Sequence, residues 1–136
     1  MDGITLTPLK KILHPKGDIF RVMKKNDEGF SGFGEAYFST INKDDIKGWK
    51  RHSKMTLNLV VVTGEVAFVV HNNIEFFNVK LSKSNYQRLT VEPSMWVAFK
   101  GLSRENILLN IASIEHDPSE SENADLDAFD YDWSGL

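Results

Sequence analysis

A run of cationic side chains between residues 44 and 55 is the part of this sequence best suited to holding an anion. It reads Asp44-Asp45-Ile46-Lys47-Gly48-Trp49-Lys50-Arg51-His52-Ser53-Lys54-Met55. In an extended chain, alternate side chains point to opposite faces, so one face carries Lys50, His52 and Lys54 and the other carries Lys47, Trp49, Arg51 and Ser53. The aromatic side chains of Tyr37, Phe38 and Trp49 favour a site that stacks a nucleotide base and holds its diphosphate. A charged edge strand, on which lysine discourages aggregation, explains the run equally well.

Other site chemistries find little support in the residue types and their spacing. The chain has no cysteine, which excludes disulfides, thiolate metal sites and cysteine nucleophiles. The histidines lack the His-x-His spacing that places two metal ligands on one face of a strand, because they stand singly at His14, His52, His71 and His116. No serine lies in a Gly-x-Ser-x-Gly turn, and the glycines at 29–34 are wrongly spaced for a phosphate loop. We predict neither a metal nor a cofactor.

Length and charge narrow the class of protein. The 136 residues, 41% of them apolar, predict a single domain over residues 1–136. A formal net charge of −3 argues against a nucleic acid polymer as partner. No signal pattern opens the chain, and no apolar run approaches the ~20 residues that span a bilayer. We therefore expect a cytoplasmic protein with no membrane partner.

Short β-branched runs separated by turn residues predict the elements that position the cationic run. The clearest run, residues 55–70, is broken at Thr63-Gly64 and predicts two strands joined by a turn. Similar runs occur at residues 18–24, 32–41, 74–79, 87–91, 96–100 and 106–114. Without any long helical period, this spacing predicts one antiparallel sandwich or barrel, whose mouth is the place for a small ligand.

The last 22 residues differ in composition from the rest of the chain. Residues 115–136 contain eight acidic and no basic residues. We expect residues 117–127 to form a solvated acidic loop, because they offer almost nothing to bury. Phe129, Tyr131 and Trp133 alternate with aspartates, which predicts a short strand or an extended segment docked on the body.

A series of segments resembles one enzyme family in order and spacing. The segments are Gly17-Asp18-Ile19-Phe20-Arg21, then residues 34–39, 46–52, 61–66 and 91–103, then His116-Asp117-Pro118 and Tyr131-Asp132-Trp133. Together they resemble the cupin-fold 3,5-epimerases that act on dTDP-4-keto-6-deoxyglucose. The resemblance implies an all-β, antiparallel cupin-type (double-stranded β-helix or jelly-roll) barrel. It also implies a cytoplasmic homodimer that uses no metal and serves bacterial surface polysaccharide (lipopolysaccharide, O-antigen) biosynthesis.

The resemblance marks this chain as a diverged member, because the usual catalytic side chains are replaced. The family's base, a histidine in an Arg-Gly-Leu-His type motif, falls on Lys50, and the arginine of that motif falls on Lys47. A second histidine falls on Val97, and the tyrosine that acts as acid falls on Asn110, whose amide supplies no such proton. His52 lies two residues after Lys50 on the same face of the strand.

The positions at which this family binds its ligand are better preserved than its catalytic positions. The resemblance places Arg21, Glu35 and Ser39 along the nucleotide and sugar pocket and Lys47 at the phosphates. Tyr37, Trp49 and Asn110 complete the predicted ligand-binding set.

These observations predict a sugar-nucleotide epimerase or isomerase that acts on a dTDP- or UDP-linked 4-keto-6-deoxy sugar. It would remove a proton next to the ketone, with Lys50 or His52 as the proton-transfer group. Migration of the ketone between adjacent carbons is an open alternative within the enzyme class. A different alternative is a catalytically silent sugar-nucleotide-binding protein or scaffold that has lost its base and acid. The nucleotide, the sugar and the carbon attacked are not specified by these residues.

Overall fold

The computed structural model describes all 136 residues and consists almost entirely of antiparallel strands. One five-stranded sheet contains, from edge to edge, β1 (Ile4–Pro8), β9 (Gln87–Val91), β6 (Leu57–Thr63), β11 (Ile107–Ala112) and β4 (Glu35–Thr40). The other contains β12 (Ser121–Asn123), β5 (Ile46–His52), β10 (Trp96–Gly101), β7 (Glu65–His71) and β8 (Phe76–Ser82). A hairpin joins β2 (Lys11–Ile12) to β3 (Ile19–Phe20), and short 3₁₀ helices cover Pro118–Glu120, Leu126–Ala128 and Trp133–Gly135. The all-β prediction is confirmed.

The two sheets enclose a common apolar core. Fourteen buried side chains form it, including Leu59 and Leu89 from the first sheet and Phe68 and Val70 from the second. The turn between β6 and β7 requires Gly64, because its φ is +77° and an added Cβ would lie 2.1 Å from the carbonyl oxygen of Glu105. The predicted break at Thr63-Gly64 is therefore confirmed.

A β-bulge in β5 changes which of the cationic side chains face the core. Lys47 pairs with Phe99 and Lys50 pairs with Val97, so two residues of β5 stand opposite Ala98 alone. Directly paired residues of neighbouring strands lie on one face, which places Lys47 and Lys50 together on the inner side. Strict alternation predicts that Lys47 and Lys50 lie on opposite faces of β5. This prediction is wrong, because the bulge inserts one extra residue between them.

The tail is a structured part of the second sheet. β12 pairs with β5, so that His52 lies opposite Ser121 and Lys50 opposite Asn123. β5 is therefore an interior strand, not the charged edge strand considered above. The acidic stretch is also not a solvated loop, because it contains this strand and a buried residue, Glu120, which is 5% exposed.

The aromatic end of the tail covers the outer face of the second sheet. Trp49, which is 1% exposed, forms a small core there with Trp96, and the side chains packed on it include Phe129, Tyr131 and Trp133. Docking of this segment on the body is confirmed, although its backbone forms a 3₁₀ turn at Trp133–Gly135 instead of a strand. No helix in the structure has the length and apolar character needed to cross a bilayer.

Candidate functional site

A cavity of about 100 Å³ lies between the two sheets, at the end where β5 meets the tail. The first sheet contributes Tyr37, Ser39, Leu57, Leu59, Leu108 and Asn110 to its wall, and the second contributes Lys50, His52, Val97 and Phe99. The structure therefore brings together five of the nine predicted site residues. Its floor is apolar, while its polar groups stand on opposite walls, as is typical of small-ligand sites.

His52 is held by a carboxylate that we did not predict from the sequence. Its imidazole Nδ1 hydrogen-bonds to Oε1 of Glu120, and the two side chains are 11% and 2% exposed. A carboxylate can only accept, so Nδ1 carries the proton, which leaves Nε2 with a free lone pair. Because His52 lines the cavity, this arrangement prepares the imidazole to act as a base there.

Backbone amides fix the other oxygen of Glu120. Oε2 accepts hydrogen bonds from the amides of Lys54, at 3.0 Å, and Met55, at 3.2 Å. Burial raises the pKa of the Glu120 carboxyl, but the hydrogen bonds from His52 and from these two amides outweigh burial and hold that pKa below its ordinary value. The carboxylate therefore stays ionised and keeps the imidazole in one orientation.

The local sequence explains how Glu120 reaches this position. Asp117 caps the 3₁₀ helix that ends at Glu120, accepting a hydrogen bond from the amide of Ser119 at 3.0 Å. The carbonyl of Glu120 accepts one from the amide of Ser53 at 2.8 Å. The Asp117-Pro118 turn thus directs the chain back onto β5. The signal available in the sequence was an acidic residue two positions after the Asp117-Pro118 turn.

Tyr37 stands on the wall opposite His52 and is hydrogen-bonded to Asn110. Tyr37 on β4 and Asn110 on β11 are directly paired, and the Nδ2 amide of Asn110 donates to the Tyr37 hydroxyl oxygen at 2.9 Å. Oδ1 of Asn110 accepts from the backbone amide of Asn58 at 3.0 Å. Asn110 therefore links the phenol to the buried wall of the barrel.

One lysine lines the cavity, and a second lies on the same strand outside its lining. Lys50 lines the cavity and is solvent-exposed. Lys47 is exposed outside the cavity lining, where its ammonium donates to the carbonyl of Thr40 at 2.6 Å. Positive charge at the mouth of an apolar cavity suits an anionic ligand whose phosphates remain near solvent.

Three other predicted residues are not in this cavity. Glu35 accepts a hydrogen bond from the amide of His116 at 3.0 Å, outside the cavity lining. Trp49 is buried on the outer face beneath Phe129, so it cannot stack on a ligand in the cavity. Arg21 lines a separate cavity of about 530 Å³ beside β1.

The groups that line the cavity are chemically suited to proton transfer near an anionic ligand. The cavity holds an oriented imidazole on one wall and a phenol on the other, with an ammonium group at the edge. Such groups suit removal of a proton next to a carbonyl and stabilisation of the resulting enolate. Nowhere do three or more His, Asp or Glu side chains gather in a way that would hold a metal ion.

Comparison with known families gives a match along most of the chain. A family model described as "FdtA: WxcM-like, C-terminal" matches residues 2–130. No curated protein is significantly similar in sequence.

Solved structures share this fold. A dTDP sugar isomerase from Desulfovibrio desulfuricans has 29% identity and a TM-score of 0.93, covering 99% of this chain and 93% of its own. QdtA, a sugar 3,4-ketoisomerase from Thermoanaerobacterium thermosaccharolyticum in complex with TDP, has 22% identity and a TM-score of 0.80, with 90% and 88% covered. The 3,5-epimerase RmlC from Legionella pneumophila, in complex with dTDP-4-keto-L-rhamnose, has 16% identity and a TM-score of 0.82, with 93% and 74% covered. The predicted cupin-type barrel is confirmed by these likenesses.

Proposed function

The chain belongs to the FdtA (WxcM-like, C-terminal) family, and on this premise we propose that it is a sugar-nucleotide isomerase acting on a dTDP- or UDP-linked 4-keto-6-deoxy sugar. The observation that carries the proposal is the His52–Glu120 pair, in which Glu120 holds Nδ1 of an imidazole that lines the cavity. The similar dTDP sugar isomerase and the 3,4-ketoisomerase support migration of the ketone between C4 and C3.

His52 is the base in this proposal. Its Nε2 removes the proton from the carbon next to the ketone, and the charge that develops on the imidazole is stabilised by Glu120. Lys50 serves as a cation near the enolate oxygen, because its side chain lines the same cavity. Between the two proton-transfer candidates, Lys50 and His52, only His52 is oriented by a buried carboxylate.

The nucleotide part of the substrate lies towards the rim of the cavity. Lys47 attracts the diphosphate as a point charge, and Ser39, Tyr37 and Asn110 lie along the sugar. The ammonium of Lys47 donates to the carbonyl of Thr40, which directly follows the cavity-lining Ser39 on β4. Glu35, Arg21 and Trp49 remain outside the proposed sugar pocket of this chain.

We also propose a homodimer. Strand β4 is one of the two edge strands of the first sheet, and Phe33 and Phe38 near it are 65% and 67% exposed. An open edge with exposed aromatic side chains is suited to pairing with a second copy. Analytical ultracentrifugation at micromolar concentration tests this, and a monomer at every concentration would contradict it.

The proposed setting is the cytoplasmic synthesis of bacterial surface polysaccharide such as lipopolysaccharide. The ligands of the similar structures, TDP and dTDP-4-keto-L-rhamnose, support a nucleotide-linked sugar as substrate. Loss of one deoxy sugar from the surface glycan of a deletion strain tests this setting, and an unchanged glycan would contradict it.

The decisive experiment follows the sugar protons of dTDP- and UDP-4-keto-6-deoxyglucose by NMR in D₂O. We expect protein-dependent exchange at C3 together with a new 3-keto product, whereas exchange at C5 identifies an epimerase. His52→Asn should abolish exchange, and the matched control His14→Asn, in the exposed β2–β3 hairpin, should not. Lys50→Met should slow exchange without abolishing it. Binding of the nucleotide sugar with neither exchange nor product would contradict the proposal and establish the silent binder instead.

A further inference from the structure

We infer that the groove beside β1 is a second ligand site, which binds a phosphate monoester such as a sugar phosphate or a nucleoside monophosphate. The groove shares no lining residue with the barrel cavity. The inference is independent of the proposed function. It follows from the shape of the groove, from the cations that line it and from a buried charge beneath it.

The groove lies in the most cationic part of the chain. Residues 10–25 contain six lysine or arginine residues and a single acidic one. The lining of the groove comes from residues 7–10 and from residues 21–24, 27 and 28. Its volume of about 530 Å³ is typical of small-molecule sites and is about five times that of the barrel cavity. A bare phosphate would leave most of this space empty, so we infer a ligand that also carries an organic group.

Hydrogen bonds within the protein hold the groove open. The amide of Arg21 donates to the carbonyl of Lys10 at 3.0 Å, and the hydroxyl of Tyr86 donates to the carbonyl of Arg21 at 2.9 Å. Further along the same wall, the amide of Lys24 donates to Oδ2 of Asp27 at 2.8 Å. The groove is therefore formed before a ligand arrives, which lowers the entropic cost of binding.

Three cationic side chains line the groove and are available to an anion. They belong to Lys10, Arg21 and Lys24, which are solvent-exposed and take part in none of the salt bridges of the structure. Guanidinium and ammonium groups are the donors with which proteins bind phosphate oxygens. Because Asp27 and Glu28 also line the groove, the lining has a net charge of +1.

A buried arginine adds positive charge beneath the groove. Arg88 is 0% exposed, and its guanidinium donates to the carbonyls of Val22 and Glu28, which both line the groove. Oδ2 of Asp27 lies 3.6 Å from Nη1 of Arg88, too far for a hydrogen bond. Burial lowers the pKa of Arg88, and the charges of Asp27 and Glu28 offset only part of this effect. With Arg88 included, the net charge of +2 complements a phosphate monoester, whose charge at pH 7 is about −1.5 to −2.

Isothermal titration calorimetry of the full chain with glucose 1-phosphate and with dTMP tests the inference. We expect binding that shifts the NMR amide signals of residues 7–10 and 21–28 but not those of residues 50–52. Tighter binding of one compound identifies the sugar phosphate or the nucleotide as the preferred class. Arg21→Ala should weaken binding about tenfold, because it removes a charged donor to the phosphate. The matched control Arg104→Ala, which removes an exposed arginine between β10 and β11, should change binding by less than about twofold.

Lys47→Ala separates the groove from the barrel cavity. If Lys47→Ala weakens binding and Arg21→Ala does not, the phosphate lies at the barrel and the groove site is refuted. Failure of both compounds to bind at millimolar concentration refutes it as well. Either result leaves the proposed function standing, because neither compound is its substrate, and a protein without activity on 4-keto sugars would leave the groove site standing.

Discussion

Replacing Glu120 by glutamine should invert the tautomer of His52 while leaving the fold almost intact. The Glu120 oxygen that faces the amides of Lys54 and Met55 must remain an acceptor, so the glutamine amide places its oxygen there. Its NH₂ group then faces Nδ1 of His52. Nδ1 has to accept that bond, which moves the imidazole proton to Nε2 and removes the lone pair that takes the substrate proton.

The expected loss of activity is large and the expected loss of stability is moderate. In histidine–carboxylate pairs, an inverted tautomer lowers turnover by up to about 10⁴-fold, and we expect on the order of 10³ here. Hydrogen bonds to a charged group contribute about 1.5–3 kcal/mol, and glutamine keeps uncharged versions of all of them, so we expect a loss of about 2 kcal/mol. For a chain of this size that lowers Tm by about 8 °C.

The assay is C3 exchange by NMR in D₂O, with urea unfolding of the same variant. Glu122→Gln is the matched control, because this neighbouring carboxylate is 61% exposed and pairs with Arg51 at the surface. It should cost less than about 1 kcal/mol and leave exchange unchanged. If Glu120→Gln retains more than a tenth of the wild-type exchange rate, Glu120 does not set the tautomer of the base.

Four further results follow from the packing and charge. Gly48→Ala should destabilise by about 3 kcal/mol in urea titrations, because its φ is +154° and a Cβ would lie 2.8 Å from the Cα of Ala98; a cost below about 1 kcal/mol would refute this contact. Trp49→Ala should cost about 3–5 kcal/mol and make the tail sensitive to protease, and an undisturbed tail would show that this side chain does not anchor it. Arg88→Met should cost about 3 kcal/mol in the same titrations, since the buried guanidinium donates to the carbonyls of Val22, at 2.5 Å, and Glu28, at 2.8 Å; an unchanged stability would contradict this. The difference in unfolding free energy between wild type and Glu120→Gln should have its full size near pH 7 and become smaller as pH falls below about 4, because the folded-state pKa of Glu120 lies below its unfolded value. A difference that increases at acidic pH would show that folding raises the pKa of Glu120 instead of lowering it.

Local patterning in the sequence predicts most of the strands. The β-branched residues from 57 to 71 place β6 and β7, because such side chains fill a two-sided buried sheet. Alternation also puts Lys50 and His52 on the inner face of β5. These features depend only on residues that are close together in the sequence, and a local sequence pattern can therefore predict them.

Features that depend on distant partners are not visible in the sequence. The bulge opposite Ala98 is a property of two paired strands, so strict alternation misplaces Lys47. Glu120 lies 68 positions from His52, within a segment whose charge predicts solvent exposure, and only the pairing of β12 with β5 buries it. In the sequence, Trp49 resembles a residue that stacks on a ligand, but in the structure the tail covers its side chain.

The pairing of β12 with β5 also orders events while the chain is being made. A ribosome delivers β5 some seventy residues before Glu120, so His52 has no carboxylate partner until the tail has emerged. The base is therefore completed last, after the barrel that surrounds it. During that interval β5 is an open edge, and the charges of Lys50, Arg51 and Lys54 protect it from pairing with other nascent chains. The cationic run thus protects β5 from pairing before the tail is synthesised, and it supplies the base and the positive charge of the proposed site afterwards.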